Sequence, residues 1–384
     1  MRRYTHGAVR GLTVVVVLSA VLTGGCGGQG AQTPPRQPPV DTPTQAPSQQ
    51  PQQVQQPEAG EAKQGESQPK DVPGKQVRPV SPVDLDWPAP APRDKWVQCP
   101  FTSRTHDPNN TLVAVVVENS ANARPQSGLV EADVVYEALA EGGISRFLAL
   151  FHCSSCRKIG PVRSIRPYFA VIAREWGAPV AHCGGDAKDI EPVRDLRLVD
   201  VDELRDGRGF WRDNSRAMPH NLYVTANNVR SRAKETAAQS PVVPVSSPPW
   251  TIGRWQEEPA AGIEIKYGPR YTVRYDRADG GYRRSMNGEV HKDRETGRAI
   301  VAANVIVQFT ESRVAYEDLG LVIDLVGKGK AMFLTAGKLQ EGVWEKASPE
   351  SPTRFVTLDG NAIECAPGQT WIQIVPTDAV VSLR

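Results

Sequence analysis

The order of apolar and polar positions divides the chain into an apolar start, a long polar stretch and a patterned remainder. Residues 11–22 (GLTVVVVLSAVL) form an apolar run of 12 residues behind a basic start. Because a helix needs about 20 apolar residues to span a bilayer, this run predicts an export signal rather than a membrane span. Residues 27–86 contain no Phe, Trp or Tyr, and 23 of the 50 residues between 31 and 80 are Pro or Gln. Such a segment cannot bury enough apolar surface to fold, so it predicts a disordered linker.

Residues 87–240 alternate between strand-like and helix-like patterns. Runs of apolar and β-branched residues predict strands at 111–118, 132–138, 147–152 and 179–183. Helices are predicted from a cap at Ser164 with Pro167 in the first turn, over 187–196, and over 226–238 behind a cap at Thr225. The polar residues 206–221 predict a long loop. This alternation is typical of a mixed α/β domain.

A proline-rich segment, residues 241–250, predicts a hinge before a region of short strands over 251–384. The predicted strands are 271–275, 304–309, 321–326, 331–334, 354–358 and 371–375, with a hairpin turn at Asn287-Gly288. We expect Trp255, Trp344 and Trp371 in the core rather than on a sugar-binding surface. The predicted fold class is therefore α+β or α/β: a disordered linker, an N-terminal mixed α/β domain, and a mainly antiparallel β C-terminal domain.

The net charge of the chain argues against one class of function, nucleic-acid binding. The formal net charge of +2 lacks the strong basic excess of nucleic-acid-binding proteins, so no nucleic-acid partner is expected. Residues 87–384 are long enough for two modest domains.

Cys26 changes the interpretation of the apolar start. The sequence Thr23-Gly24-Gly25-Cys26 resembles the lipobox of bacterial lipoproteins, although the family's usual leucine is Thr23 here. The resemblance implies that residues 1–25 are a signal peptide, that Cys26 carries the lipid, and that residues 26–86 link this anchor to the folded part. The protein would then be tethered to the outer face of the bacterial cell membrane. An ordinary cleaved signal peptide with an incidental cysteine remains the alternative.

The other cysteines predict cross-linking. Disulfide candidates outside the cytoplasm are Cys99, Cys153, Cys156 and Cys183, and their connectivity is not readable from sequence. Free buried thiols, or a zinc site with His152 or His182, are the weaker alternatives. A thioredoxin-like redox role for the C-x-x-C at 153–156 is weaker still, because that motif should open a helix after a strand, whereas residues 157–161 (RKIGP) predict a turn. We therefore expect no metal and no cofactor.

Arginines mark the candidate site. Arg163 and Arg166 stand at the start of a predicted helix, where positive charge opposes the helix dipole. Compensation could come from a carboxylate such as Glu137 or Glu141, or from a bound anion. We predict that separate segments converge into one ligand-binding cluster of Arg124, Arg146, Arg163, Arg166, Arg216, His220 and Asn221.

Four long motifs carry a family resemblance. ARPQSGLVEADVVYEALAEGGISRFLALF, IGPVRSIRPYF, MPHNLY and GQTWIQIVP together resemble the YerB-like bacterial lipoproteins, over nearly everything from residue 99 onward. The resemblance implies a two-part extracellular domain and supplies no catalytic residues. The C-S-S-C at 153–156 does not belong to the family's pattern.

Two function classes follow. We favour a binding or scaffolding module whose arginines hold an anionic partner, which could be a cell-wall polymer, peptidoglycan or an envelope protein. The alternative is an enzyme on the same cleft, either a wall-glycan phosphotransferase or a hydrolase using Glu137 and Glu141 with His220. No catalytic residue is assigned, because no standard hydrolase motif occurs.

Overall fold

The computed structural model describes residues 84–237, 245, 247–253, 262–268, 271–315 and 320–384. These belong to one compact unit, Pro73–Arg384. The predicted signal peptide, Cys26, nearly all of the predicted linker, half of the predicted hinge and Trp255 lie outside the described residues.

Three α-helices occur among the described residues: α1 Pro167–Glu175, α2 Ala187–Asp195 and α3 Ala226–Ala237. Single 3-10 turns occur at Arg93–Lys95, Ala121–Ala123, Leu129–Glu131 and Glu141–Gly143. The cap at Thr225 is confirmed, since its Oγ1 accepts from the N–H of Asn228 at 2.9 Å. The cap at Ser164 is wrong. Arg166 occupies that position in an extended conformation, and α1 starts at Pro167, whose missing N–H costs nothing there.

The strands of the first region are β1 Val97–Gln98, β2 Thr105–His106, β3 Val113–Glu118, β4 Val134–Leu139, β5 Ser145–Phe151, β6 Val180–His182, β7 Asp200–Asp202, β8 Phe210–Arg212 and β9 Leu222–Val224. The predicted loop over 206–221 is therefore partly wrong, because it contains β8. The Trp211 ring of β8 packs on Tyr223 of β9 with centroids 6.1 Å apart, and this contact holds the segment as a hairpin.

The strands of the second region are β10 Thr251–Ile252, β11 Ile263–Gly268, β12 Tyr271–Ala278, β13 Gly281–Met286, β14 Glu289–Val290, β15 Val301–Ala302, β16 Asn304–Thr310, β17 Ser312–Val314, β18 Leu321–Ile323, β19 Gly327–Thr335, β20 Lys338–Lys346, β21 Arg354–Thr357, β22 Glu364–Cys365, β23 Thr370–Pro376 and β24 Val380–Leu383. The predicted Asn287-Gly288 turn joins β13 to β14. Both turn residues have positive φ, as the hairpin requires.

One ten-stranded sheet runs through both regions, in the order β21-β20-β19-β16-β23-β4-β5-β3-β6-β7. β23 of the second region pairs in parallel with β4 of the first and with β16 on its other side. A second sheet, β14-β13-β12-β11-β24 with β15 beside β13, is antiparallel. The expectation of a mainly antiparallel C-terminal region is thus met only in part, since β16 and β23 join a mixed sheet.

Both faces of the ten-stranded sheet are covered. Along β3, Val113, Val115 and Val117 pack into one core cluster, which includes residues of the antiparallel sheet, whereas Ala114 and Val116 pack into the other, which includes α1. This double burial explains why β3 is a continuous apolar run rather than an alternating one. Trp371 and Trp344 are buried in these clusters, so their assignment to the core is confirmed.

Candidate functional site

The predicted cluster lies at the carboxyl ends of the parallel strands β3, β6 and β7, which finish at Glu118, His182 and Asp202. In open α/β sheets, ligands bind at this edge because the loops that follow the strands converge there. The segment after β3, which we call the 118–126 loop, is the centre of the arrangement.

Side chains lock the 118–126 loop in place. Gln126 donates from Nε2 to the carbonyl of Glu118 and to Oδ1 of Asn119, both at 2.9 Å. Its Oε1 accepts from Nε2 of His291 at 2.8 Å. Because Nδ1 of His291 accepts from Arg284, the proton of this imidazole lies on Nε2. The loop is therefore held from the second region of the chain.

Glu118 is the acid at the centre of the site. His220 places Nδ1 2.9 Å from Oε2 of Glu118, and Ser120 donates to Oε1 at 2.8 Å. Arg163 is more distant, with Nε 3.9 Å from Oε1. The carboxylate is buried, while His220 and Arg163 are partly exposed. Since Glu118 occupies Nδ1, the imidazole can offer only Nε2 to a ligand.

Two arginines, Arg124 of the 118–126 loop and Arg216 beside it, donate to neutral acceptors. Arg124 donates to Oδ1 and the carbonyl of Asn119 at 3.0 and 2.8 Å. Arg216 donates to the carbonyls of Ala123 and Pro125, the latter at 2.6 Å. Burial lowers the pKa of Arg216, yet an arginine remains charged in proteins. In these contacts no carboxylate neutralises either guanidinium.

The remaining two arginines are neutralised. Arg166 binds both carboxylate oxygens of Glu141 and lies 3.1 Å from Asp189. Arg146 donates to the carbonyl of Ser164 at 2.8 Å and lies 3.9 Å from Glu141. Although burial acts in the opposite direction, the hydrogen bonds from Arg166 lower the pKa of Glu141. At the start of α1, the carboxylates of Glu141 and Asp189 thus compensate the charge of Arg166.

Asn221 is bonded within the fold to neighbouring arginines through its side chain. It is buried, and its side chain accepts from Arg212 and donates to the carbonyl of Arg216, both at 3.2 Å. Of the predicted cluster, the structure therefore brings Arg124, Arg163, Arg216 and His220 onto the 118–126 loop, and we call these four the cationic site. Arg146 and Arg166 lie beside it with their charges paired.

Sequence reasoning missed Glu118. A charged residue at the end of a six-residue apolar run, at the carboxyl end of a strand, was the available signal. Glu137 is neither the partner of the arginines at the start of α1 nor a hydrolytic carboxylate, the two roles considered for it from sequence. It is fully buried and forms an ion pair with Arg284 at 2.5 Å, so it is not available to Arg163, to Arg166 or to a hydrolytic mechanism.

The cysteines divide into one disulfide and three thiols among the described residues. Cys99 is bonded to Cys153, whereas Cys156, Cys183 and Cys365 are free. One group of metal-capable side chains lies within 4.8 Å in the described part of the chain: Cys99, His152 and Cys153. With the disulfide closed, neither sulfur is a thiolate ligand for a metal.

An open groove of about 1090 Å³ lies away from the cationic site. It is bordered by the end of β16, by β19 and β20, and by β24. We place the candidate site at the cationic cluster because charged groups from separate segments converge there. The groove is lined instead by ordinary sheet side chains, and its nearby ion pair, Lys330 with Glu341, is exposed.

Comparisons with known proteins agree with the motif resemblance. Residues 101–239 match the N-terminal domain of the family "Protein of unknown function (DUF3048)", and residues 263–372 match its C-terminal domain. The chain is similar to the "Putative lipoprotein YerB" of Bacillus subtilis (strain 168), with 33% identity over 276 residues, 69% of this chain and 81% of that protein. The crystal structure of the YerB protein from Bacillus subtilis superposes with a TM-score of 0.66 at 30% identity, over 74% of this chain and 99% of that one. Within the described residues, no helix is both long and apolar enough to cross a membrane. The predicted resemblance is confirmed, and the chain belongs to the YerB-like family.

Proposed function

We propose that this protein is an envelope lipoprotein that binds a polyanionic ligand at the cationic site, with wall-polymer phosphate as the first candidate. The supporting observation is the local charge balance. Arg124, Arg163 and Arg216 bring three positive charges to the 118–126 loop, where Glu118 lies 3.9 Å from Arg163 while Arg124 and Arg216 donate to neutral oxygens. A phosphate diester beside these groups would receive charge-assisted hydrogen bonds from guanidinium forks.

The tether belongs to the same proposal. The curated relative is named as a lipoprotein, and Cys26 stands at the lipobox position of this chain. With the lipid on Cys26 and the predicted linker behind it, the cationic site would face the wall polymers. Replacement of Cys26 by Ser should release the protein from the membrane fraction, and a chain still firmly membrane-bound would contradict the anchor.

The binding test uses poly(glycerol phosphate) titrated into the protein by calorimetry. Arg163→Gln and Arg216→Gln together should weaken binding by about tenfold or more, since charge-assisted hydrogen bonds contribute about 1.5–3 kcal/mol each. The affinity should also fall with added salt, because exposed charges are screened.

The matched control removes the same charge elsewhere. Arg313→Gln with Arg354→Gln deletes two exposed arginines that pair with Asp324 and Glu345. Binding by this variant should equal wild type. Equal loss in both double variants would show a diffuse charge effect, and no binding by wild type would remove the phosphate polymer as ligand.

Catalysis at the same site has one observation in its favour. The Glu118–His220 pair has the form of an acid–base dyad, in which a carboxylate orients an imidazole. His220→Gln should then abolish turnover of wall glycan, whereas it should weaken poly(glycerol phosphate) binding less than the double arginine variant does. If wild type leaves the glycan unchanged, the binding function stands alone.

A further inference from the structure

The Cys99–Cys153 disulfide lies outside the cationic site, between two acid–base side chains. The carboxylate Oδ1 of Asp133 is 3.8 Å from Sγ of Cys99, and Nδ1 of His152 is 3.3 Å from Sγ of Cys153. We propose that Cys99 and Cys153 form a thiol–disulfide exchange site that transfers its disulfide to a cysteine pair of a partner protein. Cys153 is the sulfur attacked, and Asp133 and His152 handle the protons.

The two sulfurs differ in access. Cys99 is 1% exposed and packs in the core cluster beside α1, whereas Cys153 follows the end of β5 and is partly exposed. A thiolate arriving from solvent can therefore reach Cys153 but not Cys99. Exchange sites need this asymmetry, because it decides which sulfur is attacked and which one leaves.

Asp133 is positioned to protonate the leaving sulfur. Its Oδ2 accepts the N–H groups of His152 and Cys153 at 2.6 and 2.9 Å, which leaves Oδ1 toward Cys99. Burial raises the pKa of Asp133 to about 6, although these two N–H groups, Arg230 and Arg104 act in the opposite direction. The carboxyl group can thus exchange a proton in the pH range where thiols react.

His152 serves the other sulfur. Burial, together with the neighbouring His106 and Arg230, lowers the pKa of His152 to about 4, so its ring is neutral at pH 7. His106 stacks edge-on to it, with centroids 5.1 Å apart, and lies next to Asp107. A neutral imidazole can exchange one proton with Cys153 when that cysteine is a thiol.

The exchange balances in two steps. A partner thiolate attacks Sγ of Cys153, the Cys99–Cys153 bond breaks, and Cys99 leaves and takes the proton of Asp133. The second partner thiolate then attacks the partner sulfur in the mixed disulfide, and Cys153 leaves and is protonated from solvent through His152. The partner loses two electrons and gains a disulfide. The two electrons reduce Cys99 and Cys153 to thiols.

The test uses reduced glutathione as the thiol probe on the full chain, with trapping by acid and peptide mass mapping. The adduct should form on Cys153 and not on Cys99. Burial raises the pKa of the free thiols of Cys156 and Cys365, and burial with Glu203 raises that of Cys183 to about 11. These three should therefore stay largely unmodified. An adduct on Cys99, or a disulfide that stays closed in excess glutathione, would overturn the proposal.

Asp133→Asn tests the proton transfer separately. The asparagine oxygen can still accept both backbone N–H groups, while the titrating acid beside Cys99 is lost. Below about pH 6, wild type should open about tenfold faster than this variant, and the ratio should approach one as pH rises and Asp133 deprotonates. Asp107→Asn, a buried aspartate that accepts backbone N–H groups nearby, is the control and should keep the wild-type rate.

If the ratio of the disulfide-opening rates of wild type and Asp133→Asn does not change with pH, Asp133 only anchors the turn. If Asp133→Asn does not fold, as judged by circular dichroism, the adduct position in wild type decides the exchange site by itself. His152→Gln then tests the second proton carrier, with an expected slower release of the mixed disulfide.

Discussion

Breaking the buried ion pair between Glu137 and Arg284 should destabilise the fold strongly, and Arg284→Met is the perturbation that breaks it. Both side chains are 0% exposed, and they lie 147 residues apart in sequence. Arg284 also donates to His291 at 2.6 Å and to Tyr275 at 3.2 Å. Its removal leaves a carboxylate in the core whose remaining partners are neutral groups, including the hydroxyl of Tyr271 at 2.5 Å.

The expected cost follows from that burial. Deletion of one partner of a buried pair costs about 3–5 kcal/mol, since the other charge stays uncompensated. We expect Arg284→Met to lower the free energy of unfolding by about 4 kcal/mol. Glu137→Gln should cost a similar amount, and the double variant should cost clearly less than the sum, with a coupling of about 2 kcal/mol or more.

Urea unfolding followed by tryptophan fluorescence is a suitable assay. Trp371 reports on the pair directly, because the guanidinium carbon of Arg284 lies 4.6 Å from its ring centroid. The control is Arg313→Met, which breaks an exposed pair with Asp324 and should cost less than about 1 kcal/mol. Additive costs in the double variant, or a cost for Arg284→Met no larger than that of the control, would refute this reasoning.

Three further outcomes are expected. As pH rises from 4 to 6, the free energy of unfolding of Asp133→Asn should come to exceed that of wild type by up to about 3 kcal/mol, which denaturation at a series of pH values measures. The reason is that the folded-state pKa of Asp133, about 6, exceeds the ordinary 3.8, so the buried carboxylate destabilises the wild-type fold once it is charged. The hydrogen bond from Lys158 lowers the pKa of Asp213. The contribution of this carboxylate to the free energy of unfolding is therefore present above pH 4 and lost on acidification, and in Asp213→Asn the free energy of unfolding should fall less with acid than in wild type. Gly281→Ala should cost about 2 kcal/mol more than Gly280→Ala in thermal unfolding, since an added Cβ at 281 would lie 2.1 Å from a carbonyl oxygen of β15, whereas 280 faces open space.

The buried strands of the first region were predictable because their signal is local. β3, β4 and β5 are covered on both faces, so consecutive residues along them are apolar, as over 113–117 and 147–151, and this signal needs no knowledge of the neighbouring strands. The place of Pro167 in the first turn of α1 is local in the same way, although the predicted cap at Ser164 was wrong.

The long hairpin of β19 and β20 was not fully predictable. Its outer half carries Lys328, Lys330 and two glycines, a composition typical of a loop, and only pairing with the adjacent strand makes it sheet. Lys346, at the end of β20, is buried only because Glu175 of α1 meets it at 2.6 Å, 171 residues away in sequence. Such pairs have no local signature.

The candidate site was also predictable only in part, for its arginines but not for all of their carboxylate partners. Arginine is a conspicuous residue type, so the guanidiniums could be found in the sequence. Which carboxylate meets which arginine depends on strand order, and this is why Glu141 was anticipated for Arg166 whereas Glu118 was missed for Arg163 and His220.

The position of β23 has a consequence for how the chain can be divided or synthesised. β4 has β5 on one side, and its other side stays open until residues 370–376 have been made. A fragment ending near residue 240 would display that bare strand edge, which invites aggregation. A polypeptide emerging from its N terminus can therefore complete its central layer only after residues 370–376 have been synthesised. Termination before residue 370 should therefore leave an incompletely folded, aggregation-prone chain in place of a smaller stable protein.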